Sequence, residues 1–127
     1  MLNLEKNNIP LDLSYLREMS GDSAEFMVEM IDMFKQQTPL YLADLKQAIA
    51  DQDWPAASRC AHKIKPTFAY VGREDAREHM QVMEHHARDL SNLEKLPAQF
   101  EEINDFIQVL NKQLDEAKAD LEKRITL

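Results

Sequence analysis

Glycine is nearly missing from this chain: Gly21 and Gly72 are the only two in 127 residues. A β-rich fold of that length needs many tight turns, and turns with positive φ lean on glycine. The same scarcity removes the phosphate-cradling and dinucleotide-binding loops, which need clustered glycines. The five prolines, at positions 10, 39, 55, 66 and 97, are spread out and form no linker. No low-complexity segment and no internal repeat interrupts the chain. What remains is helix, and the apolar pattern supports it almost throughout.

A short first segment, Asp12 to Met19, sets Leu13 and Leu16 one turn apart and stops at Ser20-Gly21. Asp22 then stands where it can N-cap a second helix, with Glu25 at the capping-box position. That helix carries Phe26, Met27, Met30, Ile31, Met33 and Phe34, a broad apolar face expected to be largely covered. Thr38-Pro39 has the form of an N-cap and first helical position, and Leu42, Leu45 and Ile49 follow at helical spacing. Asp53 caps a fourth helix, with Trp54 and Pro55 in its first turn, running to about Gly72 as its C-terminal stop. A fifth places Ala76, Met80, Met83, Ala87 and Leu90 at alternating spacings of four and three. Pro97 opens the last helix, 97–124, with the longest stripe: Phe100, Ile103, Ile107, Leu110, Leu114, Ala117 and Leu121. So long a stripe predicts packing at shallow angles. The expected fold is all-α: an antiparallel four-helix bundle with two additional N-terminal helices closing one end or side. Residues 1–127 form a single domain on this reading.

Charge and composition narrow the function. Fifteen Lys and Arg against 23 Asp and Glu leave a formal charge of −8. A duplex-DNA binder needs a strongly basic footprint, so nucleic acid is not an expected partner. No stretch approaches the roughly 20 apolar residues of a membrane span, and Met1–Pro10 has no apolar core of a secretory signal. The single cysteine, Cys60, excludes a disulfide framework and a multi-thiolate metal site. A cytoplasmic, monomeric protein is the expectation.

The segment Asp53 to Gly72, DWPAASRCAHKIKPTFAYVG, carries the chemistry. On a wheel turning about 100° per residue, Ala57, Cys60, Ile64, Phe68 and Val71 gather on one side as the core stripe. His62 points almost directly away from them. Pro55, Ser58, Arg59, Lys65, Pro66, Ala69 and Arg73 share its face. An outward imidazole thus lies one turn from a guanidinium and one turn from an ammonium.

Those residues, Ala61-His62-Lys63-Ile64-Lys65-Pro66-Thr67 followed by Gly72, resemble the motif of the histidine-containing phosphotransfer (HPt) domains of bacterial phosphorelays. The resemblance extends upstream through LDLSYLREMSGD, the Phe-bearing second helix, Thr38-Pro39 and Asp51-Gln52-Asp53-Trp54, and is strongest over residues 11–90. It implies that His62 accepts a phosphoryl group and exchanges it with an aspartate of a receiver domain, belonging to a response regulator or a hybrid histidine kinase. Helical spacing sets Lys65 at i+3, where it can reach the phosphoryl oxygens, and Arg59 at i−3, where it can assist from the other side. Glu84 matches the family's Gln or Glu about 22 residues on, which accepts a hydrogen bond from the ring, and Arg88, one turn further, is expected on the partner surface. Pro66 and Gly72 are the backbone positions of the motif.

The residue types suit that chemistry. Neutral imidazole keeps a nucleophilic lone pair near pH 7, and phosphoryl transfer asks mainly for in-line positioning and charge neutralisation. No bound metal or other cofactor is expected, since the Mg²⁺ belongs to the receiver's acidic site. The protein is then a relay intermediate without autonomous turnover, and so not an enzyme in its own right. Arg59, Lys63, Lys65, Arg73 and Arg77 are expected to form a local basic patch for an acidic partner. Pro66 stands where the family usually has Gly; lacking an N–H, it predicts a kink or loosening at the carbonyl of His62. His79 and His86 lack the accompanying Glu or His pattern of a helical metal site and are taken as packing or surface residues. The charged tail 115–124 is the wet side of a long helix whose last turns extend past the bundle. The alternative is a non-catalytic helical-bundle adaptor that docks a signalling partner without phosphoryl transfer.

Overall fold

The structure, a computed structural model, describes residues 2–8 and 11–126; Met1 and Pro10, the ends of the stretch judged to lack a secretory signal, lie outside them. A 3-10 turn at Leu4–Asn8 leads into α1 (Ser14–Ser20), α2 (Ala24–Ala50), α3 (Trp54–Tyr70), α4 (Glu74–Asp89), a second 3-10 turn (Leu93–Lys95) and α5 (Leu96–Thr126). The described residues contain no strand, in line with the scarcity of glycine. None of the helices is long and apolar enough to cross a membrane.

The two extra N-terminal helices of the sequence expectation are not both separate. The second and third expected helices are one: α2 runs through Pro39, and Thr38 is a buried interior residue, not a cap. The reason lies in the buried set Met27, Ile31, Phe34, Thr38, Leu42 and Leu45, which keeps helical register across the proline. A proline inside a helix costs about 3 kcal/mol, and covering that continuous stripe outweighs it. Pro39 itself is exposed. The start of α2 also shifts by one residue. Asp22, at φ 63°, lies in the left-handed turn that closes α1, and its N–H donates to Arg17 O at 2.8 Å. Ser23 is therefore the cap, its Oγ accepting from Phe26 N at 3.2 Å.

Helices α2, α3, α4 and α5 each pack against two of the others in a closed cycle, and α1 lies on α2. Ion pairs record the antiparallel run of α2 and α5: Lys35 meets Asp115, Lys118 meets Asp32 at 2.8 Å and Arg124 meets Asp22 at 3.4 Å. Positions fall along one helix as they rise along the other. Leu121 is buried by the same packing, so the tail of α5 does not leave the helical body as expected but lies back on the start of α2. At the centre, Phe68 of α3 meets Phe34 of α2 and Phe106 of α5 edge to face, at 6.2 Å and 5.9 Å. Such aromatic contacts contribute beyond their buried area.

Other expectations change in detail. Phe26 and Met33 are exposed, so the apolar face of α2 is covered only in part. Leu90 leaves the stripe of α4 because it sits at the helix end in left-handed conformation, exposed. Ala61 joins the α3 core where Cys60 was expected; the thiol is only half-buried. Asp53 caps α3 as its position indicates, accepting from Ala56 N at 3.2 Å. Beyond Tyr70, Gly72 N donates to Ala69 O at 3.1 Å and Arg73 N to Phe68 O at 2.9 Å. Those two bonds are the Schellman closure. α3 continues through Pro66 without a break.

Candidate functional site

The site is built on α3 and α4, which the short Val71–Arg73 turn folds against one another. On α3 the residues Ser58, His62 and Lys65 lie at i−4, i and i+3, one face of successive turns. On α4 the matching position is Glu84, buried at 8% exposure despite its charge. All three α3 side chains reach it. His62 Nδ1 lies 2.7 Å from Glu84 Oε2, Lys65 Nζ donates to Oε1 at 2.9 Å, and Ser58 Oγ donates to the Glu84 carbonyl at 3.3 Å.

The electrostatics fix the proton. Burial pushes the Glu84 carboxyl up, but the hydrogen bonds and charges of Lys65 and His62 more than offset it and hold its pKa below the usual value. Glu84 is therefore ionised near neutral pH, and an ionised carboxylate only accepts. The ring hydrogen of neutral His62 must sit on Nδ1, which donates to Glu84. Nε2 then keeps its lone pair. The His62 side chain is 67% exposed, so that lone pair faces solvent on a ring whose other nitrogen is anchored. A ring held and exposed in this way can act as a nucleophile.

The remaining candidates divide. Lys65 is drawn inward: its side chain is 19% exposed and its ammonium is engaged by Glu84, with further N–H donors left over. Arg59 is exposed, and no ion pair engages it among the described residues. Arg88 is also exposed, and its guanidinium is paired with Asp89 at 3.0 Å. Pro66 is exposed on the His62 face, and Gly72, at φ 75°, turns the chain from α3 to α4. Lys63 lies over the Tyr41 ring at 4.4 Å, facing α2.

Arg73 does not belong to the basic patch. It is 2% exposed, forked onto Asp75 at 3.0 and 2.9 Å, and set over the Phe106 ring at 4.5 Å. Its outward placement on the wheel assumed that α3 continues to residue 73; the left-handed turn at Gly72 swings it inward instead. Arg77 is half-buried and held by Glu74 and Gln81. Of the two histidines set aside, His79 is buried with Nε2–H donating to Gln99 O at 2.8 Å, and His86 Nδ1 lies 3.3 Å from Gln99 Oε1. No group of three or more metal-ligating side chains occurs among the described residues. Ser58 is the site residue that sequence reasoning placed on this face without a role; its position one turn before His62 is the signal that locates it.

Comparison with known proteins gives the chain a family. The sequence profile of the Hpt domain matches residues 29–123. Among solved structures, the HPT domain from the Hpt sensor hybrid histidine kinase from Shewanella is similar in fold, with a TM-score of 0.59 at 16% identity over 91% of this chain and 93% of that one. No curated protein matches the sequence.

Proposed function

The chain belongs to the Hpt domain family, and from that premise we propose that it is a histidine phosphotransfer protein, relaying a phosphoryl group between His62 and the aspartate of a receiver domain. The observation that carries this is the His62 ring itself, fixed through Nδ1 to Glu84 at 2.7 Å and left open at Nε2. In the reaction the Nε2 lone pair attacks the phosphorus of the receiver's aspartyl phosphate. The P–O bond to the aspartate breaks, its carboxylate leaves, and a P–N bond forms on His62. Nδ1–H stays on Glu84 throughout, so the imidazolium-like charge that develops is met by a carboxylate.

Lys65 supplies its spare N–H donors to the phosphoryl oxygens while still bound to Glu84, and Arg59 supports from the preceding turn. Arg88 belongs to the surface that the receiver covers. The chain needs no cofactor of its own; Mg²⁺ sits in the receiver, where the aspartate lies. Turnover belongs to the relay as a whole, so the protein acts as a monomeric cytoplasmic intermediate, not as an enzyme. The closed cycle α2–α5 is read as the family's antiparallel four-helix bundle, with α1 laid against it.

The test is transfer from radiolabelled, phosphorylated receiver domains. Label that is acid-labile and alkali-stable should appear on residue 62. His62→Gln should abolish it while binding to the receiver survives. Binding of a receiver by the wild-type protein with no label transferred in either direction favours the adaptor reading.

A further inference from the structure

Beside the imidazole the backbone carries an acceptor that lacks its regular α-helical donor. The α-helical donor to the carbonyl of His62 would be the N–H of residue 66, and Pro66 has none. Among the described residues no side chain and no loop N–H donates to it either. Lys65 is taken by Glu84 and Lys63 lies over Tyr41. His62 and Pro66 are both exposed, which puts the carbonyl between them on the outer face of α3, the side on which helix carbonyls tilt outward. Side chains lean toward a helix N-terminus and carbonyls point toward its C-terminus. The ring and the free acceptor therefore share one face, within about one 5.4 Å turn of each other.

We propose that the His62 carbonyl is a docking acceptor that takes a hydrogen bond from an N–H of the receiver domain as the receiver's aspartate comes in line with Nε2. This rests on the phosphotransfer reading. In the free protein water fills the acceptor, and any partner that covers His62 displaces that water. A partner offering no donor leaves a desolvated carbonyl, a cost comparable to a whole lost hydrogen bond. A partner that offers one gains a contact to the backbone of the reacting residue itself. Pro66 thus acts as a specificity determinant, selecting receivers that present a donor at this point of their surface.

Two variants separate the acceptor from the bulk of the proline ring. Pro66→Ala and Pro66→Leu both supply the N–H that can close the bond to the His62 carbonyl within α3; Leu also keeps an apolar side chain of size. The probe is a purified receiver domain carrying Mg²⁺ and beryllofluoride, taken from those with which the wild-type protein exchanges phosphate. Both variants should weaken its binding by about fivefold to tenfold, with a thermal midpoint equal to or above that of wild type. Unchanged binding in both variants overturns the proposal. So does restored binding in the Leu variant alone, which assigns the effect to bulk. Wild-type protein that neither binds nor labels with any receiver removes the phosphotransfer reading and this inference with it, whereas wild-type transfer with unaffected Pro66 variants removes only the inference.

Discussion

His62 and Glu84 stand 22 residues apart on different helices, yet Nδ1 of one lies 2.7 Å from Oε2 of the other. That contact decides which ring nitrogen is free. Without the carboxylate, the imidazole divides between its two tautomers and rotates more widely about its side-chain bonds. Glu84→Ala is expected to slow phosphoryl uptake about tenfold, equivalent to about 1.4 kcal/mol of barrier. Glu84→Gln, whose amide oxygen still accepts from Nδ1–H, should retain more of the rate. Nitrogen-15 NMR of the His62 ring measures the tautomer directly, and an unchanged ratio in Glu84→Ala would contradict the assignment.

The buried pair Arg73–Asp75 gives the protein a defined acid response. Burial pushes the Asp75 carboxyl up, but hydrogen bonds from Arg73 and from the N–H of Asn3, with the guanidinium charge, bring its pKa from 3.8 down to about 2. The fold therefore binds this proton less well than the unfolded chain does. Its contribution is fully present above 3.8 and is lost as pH falls through that window toward about 2. The linked stability is on the order of 2 kcal/mol. Asp75→Asn should lower the urea midpoint at pH 7, and the gap from wild type should narrow as pH drops below 4. Glu84, also held low, follows the same sign.

Much of this was legible because helical patterns are local and the phosphotransfer motif is compact. Asp53, His62, Lys65 and Gly72 all fall within one helix and its stop, so helical spacing and the motif together mark them. Glu84 was reachable only through the family's spacing, since no periodicity in α4 marks a carboxylate that faces another helix. Arg73 was misplaced for a related reason: a wheel cannot know where a helix ends, and one left-handed residue reverses the direction of everything after it. Thr38-Pro39 misled because local capping preference was weighed without the apolar stripe that runs straight past it. The inward turn of Lys65 is a tertiary effect, set by a partner on α4.

Gly72 and Gly21 both adopt positive φ, at 75° and 64°, but only one is hemmed in. A Cβ on Gly72 would overlap the backbone carbonyl of Asp12, whereas one on Gly21 meets nothing within 4 Å. The left-handed conformation alone costs an L-residue roughly 1–2 kcal/mol. Gly21→Ala should lose about that much. Gly72→Ala should lose more, because the segment before α1 must also move away from the α3–α4 turn. Equal urea midpoints for the two variants would show that the Asp12 contact yields without cost.

Pro39 distinguishes a continuous α2 from two helices joined at a cap. If Pro39 opened a helix, its missing N–H would be one that no helix uses, and replacing it would bring nothing or cost stability. Inside α2 the same proline deprives Lys35 of a donor for its carbonyl and crowds that carbonyl with its ring. The side chain is exposed, so its removal opens no cavity. Pro39→Ala should therefore stabilise the protein, by up to about 3 kcal/mol, read as a rise in the urea midpoint at constant m-value. Amide exchange should slow at positions 39–42, where the repaired turn closes. A midpoint that falls, with exchange at these positions unchanged, would mean that the helix is interrupted at Thr38 after all.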